Sequence, residues 1–211
     1  MKKILFQGDS VTDSNRAKDE KWSEKYQGSG YPILVAAELG YRYPNEYSFY
    51  NRGISGNRVV DLLSRVKCDL INLKPDVVSI LIGVNDVWHE INYKNGLSEE
   101  SFERIYDILL CEIKEHLPNT QLMLLEPFVL QGEATIEHWS EFREEVEKRA
   151  KVTKKLAEKY NADFIALQSK FDKACTQAPA EYWLIDGVHP TSAGHKIIAE
   201  AWLDAFESLN F

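Results

Sequence analysis

No apolar run in the chain approaches the roughly 20 residues that a membrane span needs. Cysteine is scarce. Cys68, Cys111 and Cys175 are odd in number, lie far apart and form no CxxC pair. Disulfide frameworks and zinc sites need paired spacings, so these three read as buried or partly buried free thiols. Positive charge is in the minority: 25 Lys and Arg stand against 33 Asp and Glu, a formal net charge of -8. Nucleic-acid binding and polybasic membrane contact both need concentrated Lys and Arg, so neither partner is expected. Neither GxGxxG nor GxxxxGK[ST] follows the first apolar run, which argues against a nucleotide module. HExxH and DxD spacings are missing as well, and no internal repeat, low-complexity tract or linker interrupts the sequence.

What is present suits one α/β domain over residues 1–211, since chains divide only beyond about 250–300 residues. Apolar residues make up 44%, close to the globular average, so a packed core is expected rather than disorder. Met1-Lys2-Lys3 is followed by only three apolar residues, against roughly 7–15 in a secretory signal. A cytoplasmic protein is the expectation.

Strand-like runs alternate with helix-like ones. Strand-like runs at 3–7, 47–51, 77–82, 121–125 and 162–167 predict five strands, the third and fourth buried on both faces. Helical spacing of Val59, Leu62, Leu63, Val66, Leu70 and Leu73 predicts a helix over 59–73. Ser98 is a candidate N-cap for a helix reaching 117. A charged helix over 140–160 carries i,i+4 pairs on a solvated face, and Thr191 or Ser192 caps a last helix reaching about 209. Strands separated by helices imply parallel pairing, hence a three-layer α/β/α sandwich on a five-stranded parallel sheet, flavodoxin-like in plan. Irregular stretches at 10–30 and 127–140 leave the carboxyl ends of strands, the edge where such sheets bind ligands.

That edge carries reactive residue types. Gly8-Asp9-Ser10 follows the first strand, and Asp186-Gly187-Val188-His189 lies near the other end of the chain. A serine hydroxyl needs an imidazole to take its proton, and the imidazole needs a carboxylate to fix its tautomer. Ser10, His189 and Asp186 supply the three types. Asn51-Arg52-Gly53-Ile54-Ser55-Gly56-Asn57 follows the second strand and leads into a helix, where a glycine can expose its backbone N–H. Asn85, in Gly83-Val84-Asn85-Asp86 after the third strand, can donate through its side-chain amide.

These four blocks, in this order, resemble the SGNH hydrolases, also called the GDSL esterase/lipase family. The resemblance implies Ser10 as nucleophile, His189 as base and then acid, and Asp186 as its orienter. It implies an oxyanion hole made of the Ser10 N–H, the Gly56 N–H and the Asn85 amide. Val11 and Val84 stand where many members have Leu and Gly, apolar changes that leave the chemistry intact. The surrounding residues are most similar to the intracellular acetyl-xylooligosaccharide esterases, including Phe6-Gln7-Gly8-Asp9-Ser10-Val11-Thr12-Asp13 and His189-Pro190-Thr191-Ser192-Ala193-Gly194-His195. That likeness implies a serine esterase acting on small acyl groups, acetyl on sugars above all, with no cofactor or metal. It also implies some tendency to self-associate.

Asp13, Trp88 and Tyr93 are candidate substrate contacts. Trp22, Tyr26 and Trp139 join the latter two as aromatics suited to sugar rings. Trp88 fits a core position as well as a pocket wall. His195 and His116 read as helix-surface histidines. The sequence also admits other readings. One is a lipase, lysophospholipase or thioesterase of the same family. Another is a metal-dependent hydrolase using Asp9, Asp13, Asp86, Asp186 and His189. The last is a carbohydrate-binding protein without catalysis.

Overall fold

A computed structural model describes residues 1–19 and 25–209. Five strands, β1 (Lys2–Gly8), β2 (Tyr47–Asn51), β3 (Val77–Leu81), β4 (Gln121–Leu125) and β5 (Asp163–Ile165), form one sheet. Their order is β2-β1-β3-β4-β5, and every pairing is parallel. Order 2-1-3-4-5 places a topological switch between β1 and β3, where the carboxyl ends of the strands open a crevice.

The helices among the described residues are α1 (Ser10–Asp13), α2 (Tyr31–Arg42), α3 (Val59–Asp69), α4 (Val84–Tyr93), α5 (Glu99–His116), α6 (Trp139–Tyr160), α7 (Gln168–Ala174), α8 (Ala180–Trp183) and α9 (Ser192–Glu207). Successive strand side chains point to opposite faces. Leu5, Val78, Ile80, Leu122 and Leu124 therefore pack on one side against α3, α5 and α6. Ile4, Phe6, Val77, Leu81, Met123 and Leu125 pack on the other against α2, α7 and α9. The three expected layers are present. Among the described residues no helix is long and apolar enough to cross a membrane.

Differences from the sequence reading are local. The helix expected over 59–73 ends at Asp69 and continues as a short 3₁₀ turn, Ile71–Leu73. The last strand is only Asp163–Ile165. Helices α1, α2, α4, α7 and α8 were not expected. Helix α2 buries Tyr31, Val35 and Leu39 at four-residue intervals, but its N-cap is Gly30, with no side-chain cap to announce the start. The cap signals in the sequence do form: Ser98 Oγ accepts the Ser101 N–H at 3.3 Å, and Thr191 Oγ1 accepts the Gly194 N–H at 3.2 Å. Helix α6 carries the i,i+4 pairs Lys148–Glu144 and Lys151–Glu147, as its charge run suggested. Its Arg149 is not on the solvated face; it is buried, bonded to Glu145 and the Leu97 carbonyl. Among the thiols, Cys68 and Cys111 are exposed rather than buried, because both sit on outward helix positions.

Candidate active site

Strand β1 ends at Gly8, a position where nothing larger fits. A Cβ there would lie 2.4 Å from both the Leu81 carbonyl oxygen and Thr12 Oγ1. The next residue, Asp9, caps α1 by accepting the Val11 N–H at 3.0 Å, and Ser10 opens that single helical turn. Ser10 Oγ lies 2.9 Å from His189 Nε2. His189 Nδ1 lies 2.7 Å from Asp186 Oδ2. The other carboxylate oxygen of Asp186 accepts the Val188 N–H at 2.9 Å and the His189 N–H at 2.8 Å. Gly187, at φ +97°, lets the chain fold back so that this carboxylate meets its own following residues.

The electrostatics follow from these bonds. Burial pushes the Asp186 carboxyl up, but the His189 ring and two backbone N–H groups outweigh it and bring it to about 2. The bond to Asp186 holds His189 above the ordinary imidazole value, against an opposing effect of burial. With Nδ1–H donating to a carboxylate, neutral His189 presents Nε2 to Ser10 as an acceptor. Such an imidazole can take a hydroxyl proton and return it.

The Ser10 N–H is at the first position of α1 and donates to no group among the described residues; the same holds for the Gly56 N–H. Gly56 lies in a turn at φ +82° that leads into α3, which begins at Val59 as expected. A Cβ on Gly56 would meet nothing within 4 Å, so the positive φ is what calls for glycine. Asn85, buried in the first turn of α4, donates from Nδ2 to the Asn57 carbonyl at 3.0 Å. One of its two amide hydrogens is thereby fixed beside the Gly56 turn and the other remains available.

A cleft of about 330 Å³ opens over Ser10 and His189. Asp13, Ser14, Asn15, Ser29 and Ser55 give it a polar wall, and Ile185 stands at its edge, 66% exposed. Asp13 lines the cleft but is buried, and its Oδ2 accepts the Ser55 N–H at 3.1 Å. The turn carrying Ser10 and the turn carrying Gly56 are thus held together. Asn51 adds to this, donating to the Thr12 carbonyl at 2.6 Å. The other carboxylates have partners too. Buried Asp86 accepts the Val59 N–H at 3.2 Å, and burial raises it to about 8. Burial also raises Asp9, to about 7, although the Val11 N–H and the nearby His189 oppose it.

Trp88 lies with its ring centroid 5.8 Å from that of His189 and 6.1 Å from that of Phe142. It packs with Trp139 on a small cluster around Val84, Val87 and Val188. It is therefore half-buried, packed against this cluster and a neighbour of the imidazole. Tyr93 is 70% exposed at the far end of α4, against His89, and lines no part of the cleft. Tyr26 is also exposed and outside it, and Trp22 lies outside the described residues. His116 is exposed, as expected. His195 is not a surface residue: it is 7% exposed and forms part of the cleft wall. Its helix position gave no sign of this, because the segments that cover it come from the other end of the chain.

A parallel 2-1-3-4-5 sheet carrying a hydroxyl–imidazole–carboxylate chain at its carboxyl edge suits acyl transfer, and similarity to known proteins makes this chain a carboxylic ester hydrolase. The chain belongs to the GDSL-like lipase/acylhydrolase family, whose pattern it matches over residues 6–197. It is 36% identical over 209 residues to an acetylxylan esterase from Geobacillus stearothermophilus, covering 95% of this chain and 92% of that one. A crystal structure described as a GDSL-like lipase from Parabacteroides merdae superposes with a TM-score of 0.93 at 41% identity, covering 98% of this chain and 95% of that one. A variant of an acetyl-xylooligosaccharide esterase from the same Geobacillus species superposes at 0.87 with 33% identity, covering 99% and 95%.

Proposed function

We propose that the protein removes acetyl groups from hydroxylated alcohols, short acetylated sugars above all, with Ser10 as nucleophile, His189 as base and Asp186 as its orienter. The observation that carries this reading is the chain of contacts from Ser10 Oγ to His189 Nε2 at 2.9 Å and from His189 Nδ1 to Asp186 at 2.7 Å, open to a polar cleft. Similar proteins point the same way. Solved structures of the Geobacillus acetylxylan esterase include two catalytic variants, one with a serine and one with an aspartate replaced by alanine.

In the first step Ser10 Oγ attacks the ester carbonyl carbon while its proton passes to His189 Nε2. The carbonyl oxygen gains charge and meets the N–H groups of Ser10 and Gly56 and the Asn85 amide. Collapse of the intermediate breaks the bond to the alcohol, which leaves with the proton from His189. Water then repeats the sequence on the acetyl-serine, releasing acetate. The alcohol half lies along the wall formed by Asn15, Ser29 and Ser55. The side chains of Asn15 and Ser55 are exposed and form no hydrogen bond among the described residues, so they are available to sugar hydroxyls.

A hydrolysis panel tests the reading: p-nitrophenyl acetate, butyrate and octanoate beside acetylated xylose and acetylated xylooligosaccharides. Acetate is expected to be the best acyl group, and Asn15→Ala with Ser55→Ala is expected to raise KM for the sugar esters but not for p-nitrophenyl acetate. Faster turnover of octanoate would replace this reading with a lipase or thioesterase.

The pH dependence is a separate check. Only neutral His189 accepts a proton, so kcat/KM is expected to fall as pH drops through its pKa, which Asp186 holds above the ordinary imidazole value. Asp186→Asn removes the charge that raises it, so the acid limb is expected to move to lower pH as the rate falls. A limb that stays in place would separate Asp186 from the titrating group.

A further inference from the structure

A second serine and histidine meet in the same cleft. Ser14 Oγ lies 3.3 Å from His195 Nε2. The hydrogen-bond directions show that this pair cannot repeat the chemistry of the first. The backbone N–H of Tyr31 donates to His195 Nδ1 at 3.1 Å, so Nδ1 carries no proton and the neutral ring holds its hydrogen on Nε2. The Ser14 hydroxyl donates to the Val11 carbonyl at 3.0 Å. His195 Nε2–H therefore donates to Ser14 Oγ, the reverse of what a general base requires.

The pair does something else. Val11 follows Ser10 in α1, so the order Tyr31 N–H, His195, Ser14, Val11 C=O is a continuous line of bonds ending on the helical turn that presents the Ser10 hydroxyl. His195 itself lies on α9, six residues beyond His189. The line thus connects the segment holding the imidazole to the turn holding the hydroxyl. Tyr31 reinforces it from the other end, its hydroxyl 3.1 Å from Thr12 Oγ1. Gly30 makes the approach feasible: a Cβ there would lie 2.3 Å from Ser14 Oγ and 2.9 Å from His195 Cε1. Ser14 takes the left-handed conformation at φ +39°, which turns its side chain back over α1. Burial and the neighbouring His189 charge hold the His195 ring neutral, its pKa lowered to about 4, so the line stays intact at ordinary pH.

We propose that His195 is a positioning residue that acts through Ser14 to hold the α1 turn, and with it the Ser10 hydroxyl, in register with His189. The proposal rests on the reading of Ser10 and His189 given above, and loss of turnover in Ser10→Ala is the separate check on that reading.

The test uses p-nitrophenyl acetate, whose leaving group carries no sugar hydroxyls and so leaves the sugar wall out of the measurement. An asparagine at 195 can accept the Tyr31 N–H but does not reach Ser14, whereas a glutamine can reach Ser14 as a donor. His195→Asn and Ser14→Ala are each expected to lower kcat about tenfold, the scale on which small misplacements act, with KM unchanged. The double variant is expected to be no worse than either single one, because both cut one line. His195→Gln is expected to recover most of the loss. Wild-type kcat in Ser14→Ala, additive losses in the double variant, or a loss carried by KM would each overturn the proposal. Ser14→Ala keeps the test decisive if a substitution at buried His195 lowers the melting temperature too far to assay.

Discussion

Alanine at Ser10 is expected to abolish measurable ester hydrolysis, and alanine at His189 to lower kcat by a similar amount. Groups that act as a unit in serine hydrolases lose on the order of 10⁶ in kcat when either is removed. The reason is that the hydroxyl is a poor nucleophile without a base, and the base has nothing to activate without the hydroxyl. Ser10 and His189 are already 2.9 Å apart, so the same logic applies. The double variant is therefore expected to be no slower than Ser10→Ala alone. Steady-state assays with p-nitrophenyl acetate, with circular dichroism to confirm folding, check this. Multiplied losses in the double variant would mean that the two side chains act separately.

The second large effect is at Asn85. Its amide is held by the Asn57 carbonyl at 3.0 Å in a buried position, so in the proposed mechanism its second N–H needs no rearrangement when substrate arrives. Removing one preorganised oxyanion donor costs about 10²–10³ in kcat, or roughly 2.7–4 kcal/mol. Asn85→Ala is expected to show that loss with little change in KM, because the donor meets charge that exists only in the transition state. Asn85→Asp keeps the size of the side chain but replaces the donor by an acceptor, and is expected to be at least as slow. A variant altered only in KM would make Asn85 a ground-state contact.

Much of this was legible in the sequence because the site is built from short local signals. β1, β3 and β4 are built around short apolar runs and read directly as buried strands. Ser10, Gly56 and Asn85 each follow a strand, so the alternation of elements alone places them at one edge of the sheet. Asp186 and His189 are three residues apart, and their pairing is a local turn. What escaped depends on distant segments. His195 takes its partners from residues 164 and 181 positions away, so nothing near it in sequence signals burial. Helix α2 starts at a glycine without a polar cap, and α4 follows Gly83 at φ +130°, so neither carried the usual N-terminal sign. Trp88 was ambiguous for a physical reason: it packs on Phe142 and on His189 at once. Asp13 combines both roles differently, lining the cleft while its carboxylate holds the Ser55 N–H.

The most direct test is covalent. The wild-type protein is incubated with a fluorophosphonate, and the adduct is followed by intact mass and mapped by peptide sequencing. One phosphonyl group per chain is expected, on Ser10, with its formation slowed as pH falls and His189 becomes protonated. Ser10→Ala is expected to take up none. A label on any other residue, or a Ser10→Ala protein labelled as fast as the wild type, would contradict the account.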